Sequence, residues 1–362
     1  MNKPSSTSNL PEIAALKRKT KISGTKRVTI RDIAVVAGVT PATVSYVLSG
    51  SRKVKISEGT QRRVRDIAER LGYMPDMHAR SLVTGRTMTL GISFGGTGEA
   101  PFSDDYDRHI LHGLVRGTAL ANYALQVLAQ PFAMGAYSVD GWIAVQAPAD
   151  FDRAVLGPKP VVFLDPAQPM PGEPCVWARN AEAGALLAGL LLPEKGGVLF
   201  ALHDVLERSP FSYRERLRGF GEQALAMGGQ RVVHSHVDPL DADALRRWMG
   251  VWSPRFLSGE IKHLVCVSDM LAARLLRLLT ESGIRVPEDV ELAGFDNTLH
   301  SQLSHPAIST VEVGAGDLAA LAVEILASRI NGKECSSQPV APLWIPRETH
   351  LGGSQGVFNP VV

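Results

Sequence analysis

The sequence predicts a small all-α domain followed by a larger α/β domain with parallel sheets, and two periodicities support this prediction. Between residues 28 and 75, apolar side chains recur at helical spacing in three short segments. From Met88 onward, apolar strand-like runs alternate with amphipathic helical stretches, which is typical of parallel α/β sheets. The 362 residues, 45% of them hydrophobic, suffice for roughly two or three domains with a sizeable core.

The net charge of the chain changes sign near the predicted boundary between the two domains. Residues 1–85 contain 16 Lys and Arg against 6 Asp and Glu, whereas the remainder contains 22 against 30. A basic segment on an acidic body is typical of a nucleic-acid-binding module joined to a second domain. Residues 1–27 are polar and lack periodicity, so we expect a disordered basic tail there. A solvated tail with no nucleic-acid partner is the alternative that charge alone leaves open.

Cysteine usage and hydropathy indicate the cellular compartment of the protein. Cys175, Cys266 and Cys335 are an odd number with no short spacing, which disfavours a disulfide framework or a zinc site. The longest apolar run, 183–193, is much shorter than the roughly 20 residues that span a bilayer. We therefore expect a cytoplasmic protein with no membrane partner, no metal and no cofactor.

A helix-turn-helix pattern follows the tail. Thr29 is a candidate N-cap for a first helix that Gly38 ends. Thr40 and Pro41 then start a second helix, because a hydroxyl accepts free amide hydrogens and proline at the first position sacrifices no hydrogen bond. In this motif the second helix enters the major groove. Its outward face contains no acidic side chain and consists of Ala42, Ser45, Tyr46 and Ser49.

A third helix is predicted between Ser57, a candidate N-cap, and Gly72. Its apolar stripe, which includes Val64 and Ile67, completes a small closed core with the first two helices. The opposite face is basic and suits phosphate contacts. The side chains on that face are Arg62, Arg63, Arg65 and Arg70.

Three segments in order, "VTIRDIAVVAGVTPATVSYVLSG", "ISEGTQRRVRDIAERLGYMPD" and "ARSLVTGRT", resemble the headpiece and hinge of the LacI/GalR family of bacterial repressors. The resemblance implies a DNA-binding headpiece over 28–75 and a hinge helix over 76–86. It also implies a transcriptional repressor that binds a pseudo-palindromic operator in double-stranded DNA as a homodimer.

Carried onto this chain, the resemblance assigns contacts to both bases and backbone. Tyr46 stands where the family commonly has an arginine, so a favoured contact to guanine is absent and base selection is altered. The alternative for Tyr46 is an exposed aromatic ring that packs on its own helix. The implied base contacts are Pro41, Ala42, Ser45 and Tyr46, and the implied backbone contacts are Thr29, Thr40, Thr43, Arg52, Lys53, Tyr73 and Arg80.

The hinge segment 76–84 holds nine residues, and an isolated helix of that length is marginal in water. The resemblance implies that it orders only on DNA, paired with its copy from a second subunit. Leu82 then corresponds to the leucine that wedges between base pairs in the minor groove and kinks the duplex. Packing of Leu82 on its own domain is the alternative.

The body resembles the family's effector domain, which has two lobes like periplasmic sugar-binding proteins. Residues 264–313 and 212–220 carry this resemblance. It implies an effector-binding and dimerisation domain over 87–352, with lobe 1 at about 87–177 and 312–338, lobe 2 at about 178–311 and 339–352, and a C-terminal tail at 353–362.

Polar side chains that follow predicted strands are the candidate effector site, because ligands bind beyond the carboxyl ends of parallel strands. These residues are Asp165, Ser268 and Asp296, and the resemblance to the family's effector domain adds Arg214, which lies in a predicted helical stretch. By resemblance, Arg214 points into the pocket and Asp296 is its carboxylate partner. Carboxylates and a guanidinium suit a sugar-like or nucleoside-like small molecule. A purely structural ion pair between Arg214 and Asp296 is the alternative.

The predicted first lobe departs from the family's pattern in one connection between strands. Only about eight residues, "PFAMGAYS", separate two predicted strands, whereas a parallel crossover needs about a dozen or more and usually a helix. The first lobe is therefore expected to be shortened or rewired, with a local hairpin as one solution. A body that has lost its ligand and serves for dimerisation or protein interaction stays open as an alternative function.

Signals of catalysis are weak. "FGGTGEA" (94–100) lacks the G-K-[ST] of a P-loop and the third glycine of a dinucleotide fingerprint. The pairs His109/His112 and His234/His236 lack a third metal ligand at convincing spacing. No nucleophile elbow or H-E-x-x-H motif occurs. The sequence thus predicts no enzyme, and a sugar- or nucleotide-processing enzyme with an appended headpiece is a less favoured alternative.

Overall fold

The computed structural model forms two compact units that divide between Gly85 and Arg86. It describes residues 28–49, 54–73, 81, 85–95, 105–128, 138–192, 196–203, 211–228, 232–333, 339 and 341–351. The predicted tails 1–27 and 353–362, and the predicted DNA contacts Arg52, Lys53, Arg80 and Leu82, lie outside the described residues. No single helix among the described residues is long and apolar enough to cross a membrane, although the bent helix pair Ile30–Ala37 and Pro41–Leu48 together meets that length and composition.

Residues 28–49 and 54–73 of the first unit form three helices around one core. Thr29 caps the first helix, and the Asp32 carboxylate accepts the Thr29 backbone N–H at 2.8 Å to complete a capping box. Thr40 and Ser57 accept backbone N–H groups at the starts of the other two helices, as predicted. Gly38 ends the first helix in the left-handed conformation, with φ of 65°. The helices are α1 (Ile30–Ala37), α2 (Pro41–Leu48) and α3 (Glu58–Arg70).

The second unit contains a five-stranded parallel sheet in the order β2-β1-β3-β4-β5. Two helices that are distant in sequence, α4 (Asp105–Ala121) and α10 (Ala315–Ile330), pack against each other in this lobe. The strands are β1 (Thr89–Phe94), β2 (Ala124–Val127), β3 (Gly141–Val145), β4 (Val161–Leu164) and β5 (Cys175–Val176), and a 3₁₀ helix spans Arg153–Leu156.

A six-stranded sheet in the order β11-β10-β9-β8-β6-β7 forms the other lobe, and only β11 runs antiparallel to its neighbour. The chain passes between the lobes three times, after β5, after β10 and after α10. This architecture confirms the predicted fold class. The remaining elements are α5 (Asn180–Leu191), β6 (Gly197–His203), α6 (Phe211–Ala226), β7 (Val232–Val237), α7 (Ala242–Leu257), β8 (Ile261–Cys266), α8 (Asp269–Glu281), β9 (Glu291–Phe295), α9 (Leu299–Leu303), β10 (Ser309–Glu312) and β11 (Leu343–Ile345).

Strands β2 and β3, which the shortened crossover joins, do not pair with each other as a hairpin. Strands β2 and β3 both lie parallel to β1, on opposite sides of it, so the hairpin solution is wrong. None of the described connecting residues, 128 and 138–140, is helical. Because parallel crossovers are right-handed, a helix linking β2 to β3 would cover the sheet face opposite α4.

Trp142 packs over that face. A Cβ atom on Gly91 of β1 would lie 2.1 Å from the Trp142 ring, so the absence of a side chain at Gly91 makes room for the indole. Trp142 is 1% exposed and packs in a separate apolar cluster with Phe163, Leu156 and Met170. A large aromatic ring thus covers sheet surface that a crossover helix would otherwise bury.

The start of the second unit is fixed to its first lobe. The Asp140 carboxylate accepts hydrogen bonds from the Thr87 N–H at 2.7 Å, the Thr87 hydroxyl at 2.8 Å and the Met88 N–H at 3.0 Å. The Arg86 guanidinium donates to Asn331 Oδ1 at 2.7 Å and to the Ile330 carbonyl at 3.0 Å, at the end of α10. A cation there is favourable, because it meets unpaired carbonyls and the negative end of the helix dipole.

Glycines allow two helix pairs to approach backbone to backbone. A Cβ on Gly113 of α4 would lie 2.0 Å from the Gly316 carbonyl oxygen of α10. In the other lobe, a Cβ on Gly219 of α6 would lie 1.9 Å from the Ala181 carbonyl oxygen of α5. Neither neighbour is a flexible side chain, so a larger residue forces the helices apart.

We predict that Gly219→Ala lowers the free energy of unfolding of the second unit by about 1–3 kcal/mol, because the helices must separate. Gly221→Ala on the same helix is the matched control, since nothing lies within 4 Å of its added Cβ. That control should be neutral or stabilise by up to about 1 kcal/mol through helix propensity. Urea denaturation followed by tryptophan fluorescence measures both, because all five tryptophans lie in this unit. Equal midpoints for the two variants would contradict the prediction.

Candidate DNA interface and effector site

Helix α2 presents the predicted base-contacting residues on one exposed face. Pro41, Ala42, Ser45 and Tyr46 are all exposed, Tyr46 by 37%, while the intervening valines are buried. The first turn of α2 has no acidic residue, so nothing on it repels phosphates. The structure therefore brings these four residues together, and their contacts with bases stay a prediction.

Four of the residues predicted to contact the DNA backbone, Thr29, Thr40, Thr43 and Tyr73, have contacts within the headpiece. The Thr29 hydroxyl donates to Asp32 at 2.7 Å, and the hydroxyls of Thr40 and Thr43 lie 2.9 Å apart. Tyr73 is half-buried and packs against the headpiece core. Their contacts with phosphates also stay predictions. The four arginines of α3, Arg62, Arg63, Arg65 and Arg70, are exposed.

In the second unit, three of the four predicted effector residues lie just beyond the carboxyl ends of strands and are buried. Asp165 follows β4, Ser268 follows β8 and Asp296 follows β9, and none is more than 6% exposed. Asp165 and Asp296 have φ of 51° and 97°. Such conformations are uncommon for residues other than glycine and cluster at functional sites.

The structure corrects the predicted partner of Asp296. Arg216, not Arg214, forms a two-pronged ion pair with Asp296, at 2.6 Å for Nη2–Oδ1 and 3.1 Å for Nη1–Oδ2. Arg214 is exposed and donates to the Ala167 carbonyl at 3.1 Å. The reason is helical periodicity, since Ser212, Arg216 and Phe220 share the buried stripe of α6 and Arg214 lies off it. That spacing was the sequence signal that the prediction overlooked.

Asp165 lies in the electrostatic field of that ion pair. Burial raises the pKa of Asp165 to about 6, the charge of Arg216 opposes the rise, and Asp296 adds to it. The hydroxyl of Tyr106, at the start of α4, donates to Asp165 Oδ2 at 3.3 Å. Burial and the nearby carboxylates also raise the pKa of Tyr106, so it stays a neutral donor. Asp165 Oδ1 is buried and has no hydrogen-bond partner.

Aromatic residues that the sequence analysis missed surround these polar groups. His203 lies 3.0 Å from the Ser268 hydroxyl and packs edge-on against Tyr213, with ring centroids 5.0 Å apart. Burial lowers the pKa of His203 to about 4, so its ring is neutral at pH 7. Trp177 packs against Phe211 at 5.6 Å. His203 and Trp177 lie at the ends of strands, and Phe211 lies at the start of a helix. Such positions are the sequence signal by which these site residues could have been found.

Two hydrogen bonds join the lobes beside this site. Arg214 of α6 donates to the Ala167 carbonyl beyond β4. The Leu299 N–H at the start of α9 donates to the Asp105 carboxylate at 2.6 Å. The lobes are therefore in contact beside Asp165, Arg216 and Asp296, and these residues lie at the carboxyl ends of both sheets.

Two segments match known families. Residues 29–76 match "Bacterial regulatory proteins, lacI family", and residues 200–350 match "Periplasmic binding protein-like domain". The chain therefore combines a LacI-family helix-turn-helix domain with a periplasmic-binding-protein-like domain. The LacI-type match covers all of the capped helices α1–α3, and the second match covers most of the six-stranded lobe. This LacI-family protein is therefore a DNA-binding transcriptional repressor with a ligand-binding domain.

Relatives of this LacI-family protein are repressors. It is 27% identical over 328 residues to the HTH-type transcriptional repressor PurR of Photobacterium profundum, covering 84% of this chain and 92% of the relative. It is 26% identical over 317 residues to the ribose operon repressor of Haemophilus influenzae, covering 83% and 92%. Because these relatives are transcriptional repressors and not enzymes, the alternative of an enzyme with an appended headpiece is not supported.

Solved structures share its fold. The lac repressor dimer bound to operator and the anti-inducer ONPF superposes with a TM-score of 0.72 at 20% identity, covering 90% of this chain and 99% of that one. The regulator CelR in complex with cellobiose gives a TM-score of 0.59 at 22% identity, covering 90% and 100%. At these identities the likeness supports the fold alone.

We predict that Arg216→Met lowers the free energy of unfolding of the second unit by about 3–5 kcal/mol, because it leaves Asp296 buried without its partner. Arg214→Met removes the same group from an exposed position on the same helix and should change stability little. Denaturation followed by tryptophan fluorescence separates the two. If Arg214→Met were the more destabilising variant, the assignment of the ion pair to Arg216 would be wrong.

Proposed function

We propose that this LacI-family repressor binds a pseudo-palindromic operator as a homodimer, and that a small sugar-like or nucleoside-like effector in the cleft of the second unit controls operator affinity. The exposed, acid-free face of α2 on a capped helix-turn-helix is the observation that supports this most strongly. A repressor of this kind acts where the chromosome lies, in the bacterial cytoplasm.

On the DNA side, we propose that Pro41, Ala42, Ser45 and Tyr46 face base edges in the major groove. Their common exposed face supports this assignment. The exposed arginines of α3 supply positive charge for phosphates, which position the headpiece without selecting sequence. Thr29, Thr40, Thr43 and Tyr73, together with Arg52, Lys53 and Arg80 outside the described residues, are the proposed backbone contacts.

For the hinge, we propose that two copies of residues 76–86 pair on the operator and that Leu82 wedges into the minor groove. A wedge of this kind requires two hinges side by side, hence a dimer. The hydrogen bonds of Arg86 to the end of α10 and of the Thr87 N–H to Asp140 fix the start of the second unit, which directly follows the hinge segment, to the first lobe. Movement of that lobe is then transmitted to the hinge.

For the effector, we propose Asp165, Ser268, Asp296 and Arg214 as ligand-facing residues, with Arg216 holding Asp296 in place. Both lobes contribute to this site, so a ligand that binds one lobe arrangement better shifts the population toward it and changes operator affinity. Trp142 packs on the sheet face beside the shortened crossover, whereas Asp165, Ser268 and Asp296 follow other strands, β4, β8 and β9. A body that has lost its ligand and serves for dimerisation or protein interaction is the alternative.

We predict that Tyr46→Arg changes which operators are selected more than it changes overall affinity, because it restores a donor that reads guanine. Selection from a random DNA pool with both proteins, at one salt concentration, measures this. Tyr46→Phe is the control, since it keeps the ring and loses only the hydroxyl. If the wild type and Tyr46→Arg selected identical sequences, the prediction would be wrong, and Tyr46 would only pack on its own helix.

We predict that Leu82→Ala weakens specific binding and reduces DNA bending, because the side chain that opens the base step is gone. Binding to non-specific DNA, which depends on phosphate contacts and salt, should persist. Gel mobility of circularly permuted operator fragments measures the bend angle. An unchanged bend angle in this variant would show that the wedge assignment is wrong.

A further inference from the structure

We infer that the Asp105 carboxylate of the first lobe and the Leu299 N–H of the six-stranded lobe form a latch, which holds the two lobes in contact and whose release changes operator affinity. The geometry of the bond between them supports the latch itself. Its effect on operator affinity rests on the proposed function, in which the arrangement of the lobes controls the hinge.

The bond between Asp105 and Leu299 is short and largely shielded from water. Asp105 Oδ2 accepts the Leu299 N–H at 2.6 Å, and the Asp105 side chain is 10% exposed. Arg108 Nε donates to the other carboxylate oxygen, Oδ1, at 2.5 Å. Burial raises the pKa of Asp105, but the hydrogen bonds from Arg108 and Leu299 bring this pKa below its usual value. The acceptor is therefore ionised at pH 7, and a hydrogen bond to an ionised acceptor is stronger than one between neutral groups.

The other hydrogen bond that joins the lobes beside the cleft contributes less to holding them together. Arg214 is exposed and donates to the Ala167 carbonyl at 3.1 Å, so water competes for its guanidinium. An exposed long side chain also loses conformational entropy when it is held in one geometry. The Asp105 side chain is short, largely buried and already held by Arg108. We therefore assign the latch to Asp105.

On the six-stranded lobe, the donor belongs to a segment that its own lobe holds in place. The Thr298 N–H donates to the buried Asp269 carboxylate at 2.8 Å, and the Asp296 carboxylate pairs with the buried arginine of α6. Leu299 directly follows Thr298 but donates to the first lobe instead. Because the segment before Leu299 is fixed, separation of the lobes at this point breaks the bond to Asp105.

On the first lobe, the acceptor lies next to a residue that contacts the proposed effector site. Asp105 is the first residue of α4, and the hydroxyl of the next residue, Tyr106, donates to Asp165 Oδ2 at 3.3 Å. Helix α4 packs against α10, and the end of α10 accepts hydrogen bonds from Arg86. The first turn of α4 thus contacts both the latch and the effector site. A shift of this helix reaches the segment that directly follows the hinge.

Two substitutions in the full-length protein break the bond from opposite sides. Asp105→Ala removes the acceptor, and Leu299→Pro removes the donor. Proline suits this position, because Leu299 is the first residue of α9 and the preceding Thr298 is extended, with φ of −82° and ψ of 175°. Leu299→Ala shortens the same side chain and keeps the N–H. Asp150→Ala changes an exposed acid of the first lobe, and these two variants are the matched controls.

Operator affinity is the first measurement. Each protein is titrated, at one salt concentration, against the DNA sequence that the wild type selects from a random pool. We expect Asp105→Ala and Leu299→Pro each to change the Kd by about threefold or more, in the same direction. The double variant should match the single ones, because all three lack one shared bond. Leu299→Ala and Asp150→Ala should bind like the wild type.

Hydrogen exchange at the latch is the second measurement, and it needs no DNA. In Asp105→Ala we expect the Leu299 amide to exchange about tenfold faster or more than in the wild type, because its acceptor is gone. The neighbouring Thr298 amide should keep its rate, since Asp269 of its own lobe holds it. An unchanged rate at Thr298 also shows that the variant is folded around α9.

The possible outcomes separate the latch from the proposed function. If the wild type selects no DNA sequence, the proposed function is overturned, and the exchange rates still decide whether the bond forms. Unchanged exchange at Leu299 in Asp105→Ala overturns the latch. Faster exchange with an unchanged Kd, or with additive effects of the two substitutions, overturns its role in operator binding.

Faster exchange at Leu299 together with equal Kd values for the single and double variants supports the inference in full. If Asp105→Ala did not fold, the comparison of Leu299→Pro with Leu299→Ala would still test the latch. Equal operator affinity of those two variants would then overturn it.

Discussion

The ion pair between Arg216 and Asp296 is the constraint on which the effector site depends. Arg216 is 2% exposed, and its hydrogen bonds reach the start of α5, the loop after β8 and the end of β9. A buried guanidinium is tolerated only when its donors are satisfied and its charge is matched. The pair therefore fixes the relative positions of three segments that line the cleft, and it leaves the neighbouring Asp165 with an unmatched charge.

The first lobe shows how a shortened connection keeps a standard sheet order. Strands β2 and β3 still flank β1 in parallel, as they would with a crossover helix between them. The apolar face that such a helix would bury is covered by Trp142 over Gly91. One large side chain opposite one glycine replaces part of a helix, because burial of apolar area and not helical structure is what the sheet requires.

The headpiece could be predicted almost completely, because its structure is local. Helix starts at Thr29, Thr40 and Ser57 depend on hydrogen bonds within three residues, and Gly38 ends α1 through its own backbone freedom. The positions of Asp165, Ser268 and Asp296 at strand ends were also predictable, since each follows a short apolar run that is typical of a buried strand. Periodicity and capping act over a few residues, and the sequence displays them directly.

The sequence by itself determined the helix-turn-helix, the alternation of strands and helices, and the polar strand ends. The helical spacing of Ser212, Arg216 and Phe220 indicates which face of α6 is buried, but only the tertiary structure showed that Arg216 and not Arg214 meets Asp296, because that pairing depends on how α6 packs against α5. The tertiary structure also showed that Trp142 covers the sheet face beside the shortened crossover. It further showed that Asp165 Oδ1 has no hydrogen-bond partner. Such contacts join residues that are tens of positions apart, and no local pattern specifies which buried acceptor the packed core leaves without a donor.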